Sequence, residues 1–210
     1  MANLITDAQA KDWLHITDAE DDATVALLAA AVSNQVRAYC GRSFNSEAAQ
    51  VASARYFRPL DAWTVAIDDA YEITTVATDG NDDGTYSTTW SSSDWYGLPA
   101  NRQNPYGSSD RWPYTSIRAV ESREFPYAQR PSVKVTAKWG WSDSSVNDLP
   151  DDVTLACRML LQEMNKARDG GYDTFTTDSG FTQIRRNLVV RDLLQPYRRE
   201  SASDQRFVVG

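Results

Sequence analysis

The chain has 210 residues, with 29 acidic and 21 basic side chains and a net charge of −8 at pH 7. A chain of this length forms one ordinary domain, or one domain with an insertion, and its core is large enough to fold without disulfides or a structural metal. The acidic balance argues against a broad basic surface for nucleic acid, since neutralising phosphates requires several clustered Lys or Arg residues.

Two helices are predicted near the N-terminus, because two capping boxes mark helix starts. Each box has a Thr followed three residues later by Gln or Glu: Thr6 with Gln9, and Thr17 with Glu20. The first helix is short, from about Asp7 to Leu14. The second carries apolar residues at spacings of three and four and ends at Gly41, a residue type that commonly follows a helix. Its apolar stripe comprises Val25, Leu28, Ala29, Val32, Val36 and Tyr39.

From Val51 to Gly140 the helical period disappears, and β-branched residues, aromatic residues and turn dipeptides dominate. The predicted strands are Ala54 to Arg58, Thr64 to Ile67, Ile73 to Thr78, Thr85 to Trp90, Ser116 to Val120 and Ser132 to Trp139. Ser91 to Tyr114 is rich in Ser, Asn, Pro and Gly but also contains several Trp and Tyr residues. We predict a long loop there that packs against another surface.

A third helix is predicted to open at Asp151 or Asp152 and to end at Gly170-Gly171. Its apolar face comprises Val153, Ala156, Cys157, Leu160, Leu161 and Met164. A polar stretch with Phe175 and Phe181 follows. A last short helix, containing Leu188, Val189, Leu193 and Leu194, is predicted to stop before Pro196, and residues past Glu200 are expected to fray. The segment from Ile184 to Arg199 is basic, with Arg185, Arg186, Arg191, Arg198 and Arg199 against Asp192.

The chain lacks the residue patterns of known catalytic sites. His15, the single histidine, lies at the end of the first helix with no nucleophile motif around it, which favours a surface or capping role. Adjacent acids such as Asp151-Asp152 point in different directions and rarely form an acid and base pair. One His and two distant Cys cannot supply a zinc site. We expect no catalytic residue, cofactor or metal, and a hydrolase with an unfamiliar carboxylate site is a remote alternative.

Asp79-Gly80-Asn81-Asp82-Asp83-Gly84 matches the first half of a calcium-binding loop. The second half does not match, because Trp90 stands where a bidentate Glu should close the coordination shell. The favoured interpretation is a tight hairpin turn, whose Asp and Gly residues tolerate positive φ angles.

The Trp residues allow two interpretations. Six of the seven lie between Trp63 and Trp141 and could form a platform for sugars, since flat rings stack on pyranose faces. The alternative, that they form the core of a β domain, is favoured because strand alternation places Ala137, Trp139 and Trp141 on one face.

Cys40 and Cys157 each lie within a helical pattern, which favours buried thiols in a reducing compartment over a disulfide. No secretory signal pattern and no apolar window of the length of a membrane span occurs. We therefore expect a soluble protein of the cytoplasm before any assembly.

Several segments, in their order along the chain, resemble the head-to-tail connector, or head completion adaptor, proteins of long-tailed bacteriophages. The most specific is the N-terminal helical hairpin, from Leu4 to Ile16, through the acidic turn Asp18 to Asp22, to Tyr39-Cys40-Gly41-Arg42. The others are Arg55-Tyr56-Phe57, Val76 to Gly80, Val133 to Gly140, Leu149 to Val153 before the long helix, and Leu193 to Arg199. The loop Ser91 to Tyr114 is bulkier than the minimal form of that family.

The resemblance implies an α+β fold in which a helical bundle carries an inserted antiparallel β domain. The expected divisions are a helical hairpin (1–50), a β domain with the long aromatic loop (51–149), a long helix with a polar connection (150–187) and a C-terminal docking tail (188–210). It also implies a non-enzymatic virion protein of the neck that forms a dodecameric ring below the portal protein. Such a ring extends the DNA channel without binding DNA specifically and links the head to a stopper or tail protein.

The resemblance further implies that the C-terminal tail docks on the portal. The residues expected to do so are Leu188, Arg191, Leu193, Leu194, Tyr197, Arg198 and Arg199. The alternative for this segment is that it packs within its own chain as a fourth helix. For the whole protein, the alternative function is a carbohydrate-binding virion or surface module that uses the aromatic β domain.

Overall fold

The computed structural model describes residues 3–44, 51–102, 112–120, 122–141, 149–169 and 187–199. The chain divides into two compact units. The helical unit comprises Met1–Phe44 and Leu149–Gly210, and the β unit comprises Asn45–Asp148. The predicted α+β class is confirmed. The predictions for Phe175, Phe181, Arg185, Arg186 and the residues past Glu200 lie outside the described residues.

Four α-helices form the described part of the helical unit: α1 (Asp7–Leu14), α2 (Asp22–Cys40), α3 (Asp151–Asp169) and α4 (Leu188–Leu194). A 3₁₀ turn at Gln195–Tyr197 follows α4 directly. Within the described ranges, no helix combines the length and the hydropathy needed to cross a membrane.

The first predicted capping box is present, and the second is not. The hydroxyl of Thr6 accepts the backbone N–H of Gln9 at 3.2 Å, and the Gln9 side chain accepts the backbone N–H of Thr6 at 2.9 Å. The box predicted at Thr17 and Glu20 is wrong, because α2 begins only after Asp21. The carboxylate of Asp18 accepts the backbone N–H of Glu20 at 3.2 Å, so these residues form a separate turn before the helix.

The buried faces of the two long helices follow the predicted periods. The buried side chains of α2 include Val25, Ala29, Val32, Val36 and Cys40, and those of α3 include Val153, Ala156, Cys157, Leu160 and Leu161. Leu4 reaches the same core from the segment before α1, where its backbone N–H donates to the Ser33 hydroxyl at 2.8 Å. The local helical period therefore indicated which side of each long helix is buried.

The described part of the β unit is a six-stranded antiparallel sheet. Its strands are β1 (Ser53–Phe57), β2 (Thr64–Thr78), β3 (Thr88–Thr89), β4 (Trp95–Leu98), β5 (Tyr114–Ala119) and β6 (Val133–Trp139). The spatial order is β1-β6-β2-β5-β4, and β3 pairs with the end of β2. Among the described strands, β1 and β4 therefore form the two edges of the main path.

The strands predicted at Thr64 to Ile67 and Ile73 to Thr78 are one continuous strand, β2. The strand passes through Asp68 and Asp69 with register shifts on both sides of Ala70. Ala70 faces Tyr114 on β5 and Trp139 on β6. The bulges let one strand change from pairing mainly with β5 to pairing mainly with β6.

Two further strand predictions are corrected. The strand predicted at Thr85 to Trp90 is reduced to the two residues of β3, because Tyr86 leaves the sheet and its hydroxyl donates to the Pro131 carbonyl at 2.5 Å. The long loop predicted from Ser91 to Tyr114 contains β4, which pairs with β5. Gly97 of β4 permits this pairing, since a Cβ atom there would lie 2.5 Å from the Tyr114 ring.

The core of the β unit is a cluster of buried side chains from β2, β5 and β6. Along β6, buried Val133, Val135, Ala137 and Trp139 alternate with half-buried residues, and Trp141 is also buried. This confirms the predicted shared face for Ala137 and Trp139, whereas Trp141 lies beyond the end of β6. The Trp90 ring stacks on the Phe125 ring with centroids 4.6 Å apart. Most of the described Trp residues of this unit therefore contribute to its interior.

Candidate docking surface of the C-terminal segment

Helix α4 and the 3₁₀ turn after it bury one face in the helical unit. Val190, Leu194 and Tyr197 are each at most 2% exposed, and their spacings of four and three place them on one side. The side chain of Asn187 accepts the backbone N–H of Val190 at 3.1 Å and so caps the helix. The same Asn187 side chain donates to the Glu163 carboxylate of α3. The segment is thus an integral part of the helical unit.

The end of this segment is bonded to the C-terminal end of α2. The backbone N–H of Arg199 donates to the Cys40 carbonyl at 2.7 Å, which satisfies one of the carbonyls left open at the end of α2. The Arg42 guanidinium donates to the Tyr197 carbonyl at 2.8 Å. The Tyr197 hydroxyl lies 3.4 Å from the Asp152 carboxylate at the start of α3. The bond between Arg42 and Tyr197 links residues 155 positions apart in sequence, and the contact between Tyr197 and Asp152 links residues 45 positions apart.

The opposite side of the segment is exposed. Leu188 is 58% exposed and Val189 is 56% exposed, so large apolar side chains at two consecutive positions are open to solvent. Arg191 pairs with its neighbour Asp192 at 3.0 Å. The guanidinium of exposed Arg198 lies 5.3 Å from the Tyr39 ring centroid, within the range of a cation–π contact.

The structure therefore divides the predicted docking residues into three groups. Leu194 and Tyr197 are buried, Arg191, Leu193 and Arg199 are half-buried, and Leu188 and Arg198 are exposed. Val189 was not among the predicted docking residues, although it directly follows Leu188 and is equally exposed. The candidate docking surface consists of Leu188, Val189, Arg191 and Arg198. The buried face of the segment packs within its own chain, as the alternative of a fourth helix predicted.

Both cysteines are free and buried, as predicted. Burial raises the pKa of the Cys40 thiol to about 12 and that of the Cys157 thiol to about 12, because the thiolate would lose its hydration. The Sγ atom of Cys40 lies 3.9 Å from the Leu194 carbonyl. Both thiols therefore act as small apolar groups of the core, and that of Cys40 lies beneath α4.

We expect neither thiol of the folded chain to react with Ellman's reagent at about pH 8, and both to react after unfolding in urea. Because the thiols stay protonated in the folded chain but ionise in the unfolded chain, the free energy of unfolding should fall as pH rises from about 9 to about 12. The number of thiols titrated before and after denaturation checks the first statement, and urea unfolding across this pH range checks the second. Rapid reaction of either thiol in the folded chain would contradict the buried packing of α4.

His15 and Asp79, the other residues considered for a functional site, have local structural roles. His15 is exposed and adopts a left-handed conformation (φ 57°) at the end of α1. The Asp79 carboxylate accepts backbone N–H groups from Asn81, Asp83 and Gly84 at 3.1, 3.4 and 2.7 Å. Burial alone would raise the pKa of Asp79, but these hydrogen bonds outweigh it and lower the pKa. The Asp79 segment is thus a turn organised by its first carboxylate.

Trp95 and Trp112, two of the six Trp residues that could form a platform for sugars, are only partly exposed. Trp95 is half-buried in β4, and Trp112 makes an edge contact with the Trp141 ring at 5.0 Å between centroids. This arrangement does not support the alternative of a carbohydrate-binding platform.

No family model matches the chain, and no curated protein matches it in sequence. Solved structures do match. One is the neck of the empty gene transfer agent (GTA) particle, computed with C6 symmetry, at a TM-score of 0.57 and 15% identity, covering 95% of this chain and 91% of that chain. Another is the neck of the native GTA particle, computed with C12 symmetry, at a TM-score of 0.54 and 13% identity, covering 94% of this chain and 93% of that chain.

The chain has the fold of these neck proteins. The match covers nearly the full length of both partners, so it includes the helical unit and the β unit together. Because the GTA particle is phage-like, these neighbours agree with the resemblance to head-to-tail connectors that the sequence motifs suggested. The agreement rests on fold, since the identity is 13–15%.

Proposed function

We propose that the chain is a structural head-to-tail adaptor in the neck of a phage-like particle, and that it has no enzymatic activity. The observation that carries this proposal is the match, over 94–95% of the chain, to two neck structures of GTA particles. In this role the protein forms a ring below the portal, extends the DNA channel and joins the head to a stopper or tail protein. It is located in the host cytoplasm before assembly and in the virion neck afterwards.

We propose a ring of twelve copies, which is supported by the C12 symmetry of one matched neck. In a ring of identical subunits every contact is heterologous, so each copy needs two different complementary surfaces. A net charge of −8 suits a channel wall, because carboxylates offer DNA no counterion release and so do not hold it during packaging or ejection.

The portal-docking role proposed for the C-terminal segment is carried by its exposed side. Leu188 and Val189 present adjacent apolar side chains, and Arg191 and Arg198 lie on the same segment. An apolar centre with Arg beside it is the composition of a binding hot spot. The buried residues Leu194 and Tyr197 hold this surface in place and do not themselves contact the portal.

The double substitution Leu188→Asp and Val189→Asp is expected to reduce joining to portal-bearing heads at least about tenfold, since a carboxylate buried in an apolar contact costs more than about 1.4 kcal/mol. The stability of the chain should stay nearly unchanged, because both side chains are already more than half exposed. Joining is measured by pelleting purified heads with the added protein, and stability by thermal unfolding.

The matched control is Leu27→Asp, which places one carboxylate at another exposed leucine, 70% exposed on α2. This variant should join heads as the natural chain does. Equal joining by the double variant and the natural chain would show that the exposed side of α4 does not dock, while leaving the adaptor role open. Failure of the natural chain to join any portal-bearing head would contradict the adaptor role itself.

A further inference from the structure

Three tyrosines of the β unit line two shallow depressions that are formed by the same two loops, residues 82–86 and 127–131. Tyr56 lies on β1 and is 53% exposed, Tyr86 comes from the loop before β3, and Tyr127 is 90% exposed. The rings of Tyr56 and Tyr86 are 5.1 Å apart between centroids. Pro131 continues the apolar wall, and Lys134 lines the same depression. We call the surface formed by Tyr56, Tyr86, Tyr127, Arg130, Pro131 and Lys134 the tyrosine cleft.

The two loops that form the tyrosine cleft are fastened to each other. The Asp82 carboxylate accepts the backbone N–H groups of Gln129 and Arg130, each at 3.3 Å. The Tyr86 hydroxyl donates to the Pro131 carbonyl at 2.5 Å. Because these bonds hold the loops together in the free chain, little conformational entropy remains to be lost when the cleft binds a partner.

The rim of the tyrosine cleft has a small excess of basic side chains, three against the two carboxylates of Asp82 and Asp83, whereas the chain as a whole is acidic. Arg58 and Arg130 are exposed and Lys134 is half-buried. The nearby carboxylates of Asp82 and Asp83 accept backbone N–H groups of these same loops, the latter from Thr85 at 2.7 Å. A partner for this surface therefore needs acidic groups for the rim.

Tyrosine and arginine are among the residue types that contribute most to the binding energy of protein interfaces. The Tyr127 ring is 90% exposed, so nearly all of its surface is available for such a contact.

The acidic turn between α1 and α2 has the complementary charge. Asp18, Glu20 and Asp22 are exposed there, and Lys11, which pairs with Asp22 at 2.5 Å, neutralises part of that charge.

We propose that the tyrosine cleft of one copy binds the acidic turn, residues 18–22, of a second copy of this chain. This inference rests on the proposed ring, and it assigns the two different surfaces that a heterologous contact requires. Arg58, Arg130 and Lys134 attract the carboxylates, while Tyr56, Tyr86 and Tyr127 supply apolar contact area around them.

The test uses the full chain and measures ring formation by sedimentation velocity, alone and after addition to portal-bearing heads. The double substitution Tyr127→Ala and Arg130→Glu is expected to lower the apparent association constant at least about tenfold. Asp18→Arg with Glu20→Arg should weaken association similarly. Combining Arg130→Glu with Glu20→Arg should recover at least part of the loss, because opposite charges then face each other again.

The matched controls are Tyr96→Ala and Arg118→Glu, which change an exposed tyrosine and an exposed arginine elsewhere in the β unit. They should leave association unchanged. Rings that persist in both double variants would overturn this inference while the proposed function stands. Intact rings that fail only to join tails would overturn it too, since the cleft would then serve a tail-side partner. A natural chain that forms no ring, alone or on heads, would overturn both.

Discussion

A chain truncated after Asn187 is expected to lose the cooperative unfolding transition of its helical unit. The truncation removes Val190, Leu194 and Tyr197, all at most 2% exposed. Removing one large buried side chain typically costs about 2–5 kcal/mol, so the combined loss is comparable to the total stability of a domain, about 5–15 kcal/mol. It also exposes the Cys40 carbonyl and the Arg42 guanidinium, which lose their partners in the removed segment.

Helical circular dichroism during urea denaturation measures this effect. Leu188→Ala is the matched control, since this leucine is 58% exposed and its truncation should change stability by less than about 1 kcal/mol. If the truncated chain unfolded as cooperatively as the natural one, the burial of α4 would be incorrect. Loss of joining by the truncated chain would not identify a docking surface, whereas the substitutions at Leu188 and Val189 do.

Trp139→Ala is expected to destabilise the β unit by about 3–5 kcal/mol, the range for removing a buried aromatic side chain. Trp139 is 2% exposed, and its indole N–H donates to the Ser53 carbonyl of β1 at 2.9 Å. Its ring also contacts Phe57, with centroids 5.7 Å apart, and lies 4.5 Å from the Arg55 guanidinium. The substitution therefore opens a cavity and loosens edge strand β1 at the same time.

Urea denaturation followed by near-ultraviolet circular dichroism, which reports on packed aromatic rings, measures the loss. Trp63→Ala serves as control, because this side chain is 37% exposed and should cost much less. If Trp139→Ala lowered the free energy of unfolding as little as Trp63→Ala, the placement of Trp139 in the core would be incorrect. The sugar-platform alternative predicts the same small effect, since an exposed binding residue contributes little to folding.

The helices could be predicted because the signals for them are local. The stripe from Val25 to Val36 and the stripe from Val153 to Leu161 repeat at the helical period, so each marks its buried face. The Thr6 capping box is also a contact within a few residues. The box at Thr17 failed because the Asp18 carboxylate formed a competing turn with the Glu20 amide.

Which side of α4 is buried could not be predicted. Leu188, Val189, Val190, Leu193 and Leu194 place apolar residues on several sides of a helix of seven residues, so its periodicity does not select a face. The selection is made by contacts with α2 and α3, which are far away in sequence. The tyrosine cleft was missed for the same reason, since Tyr56, Tyr86 and Tyr127 have no shared pattern along the chain.

The amino-acid sequence alone determined the class of the fold, the long helices with their buried faces, the buried thiols, and the segment order that resembles head-to-tail connectors. The tertiary structure decided how β2 bends between two partners, that β4 exists within the predicted loop, and which side of α4 is exposed. The physical reason is range: helix periods and caps are contacts within a few residues, whereas strand pairing and packing between elements depend on residues brought together only by folding.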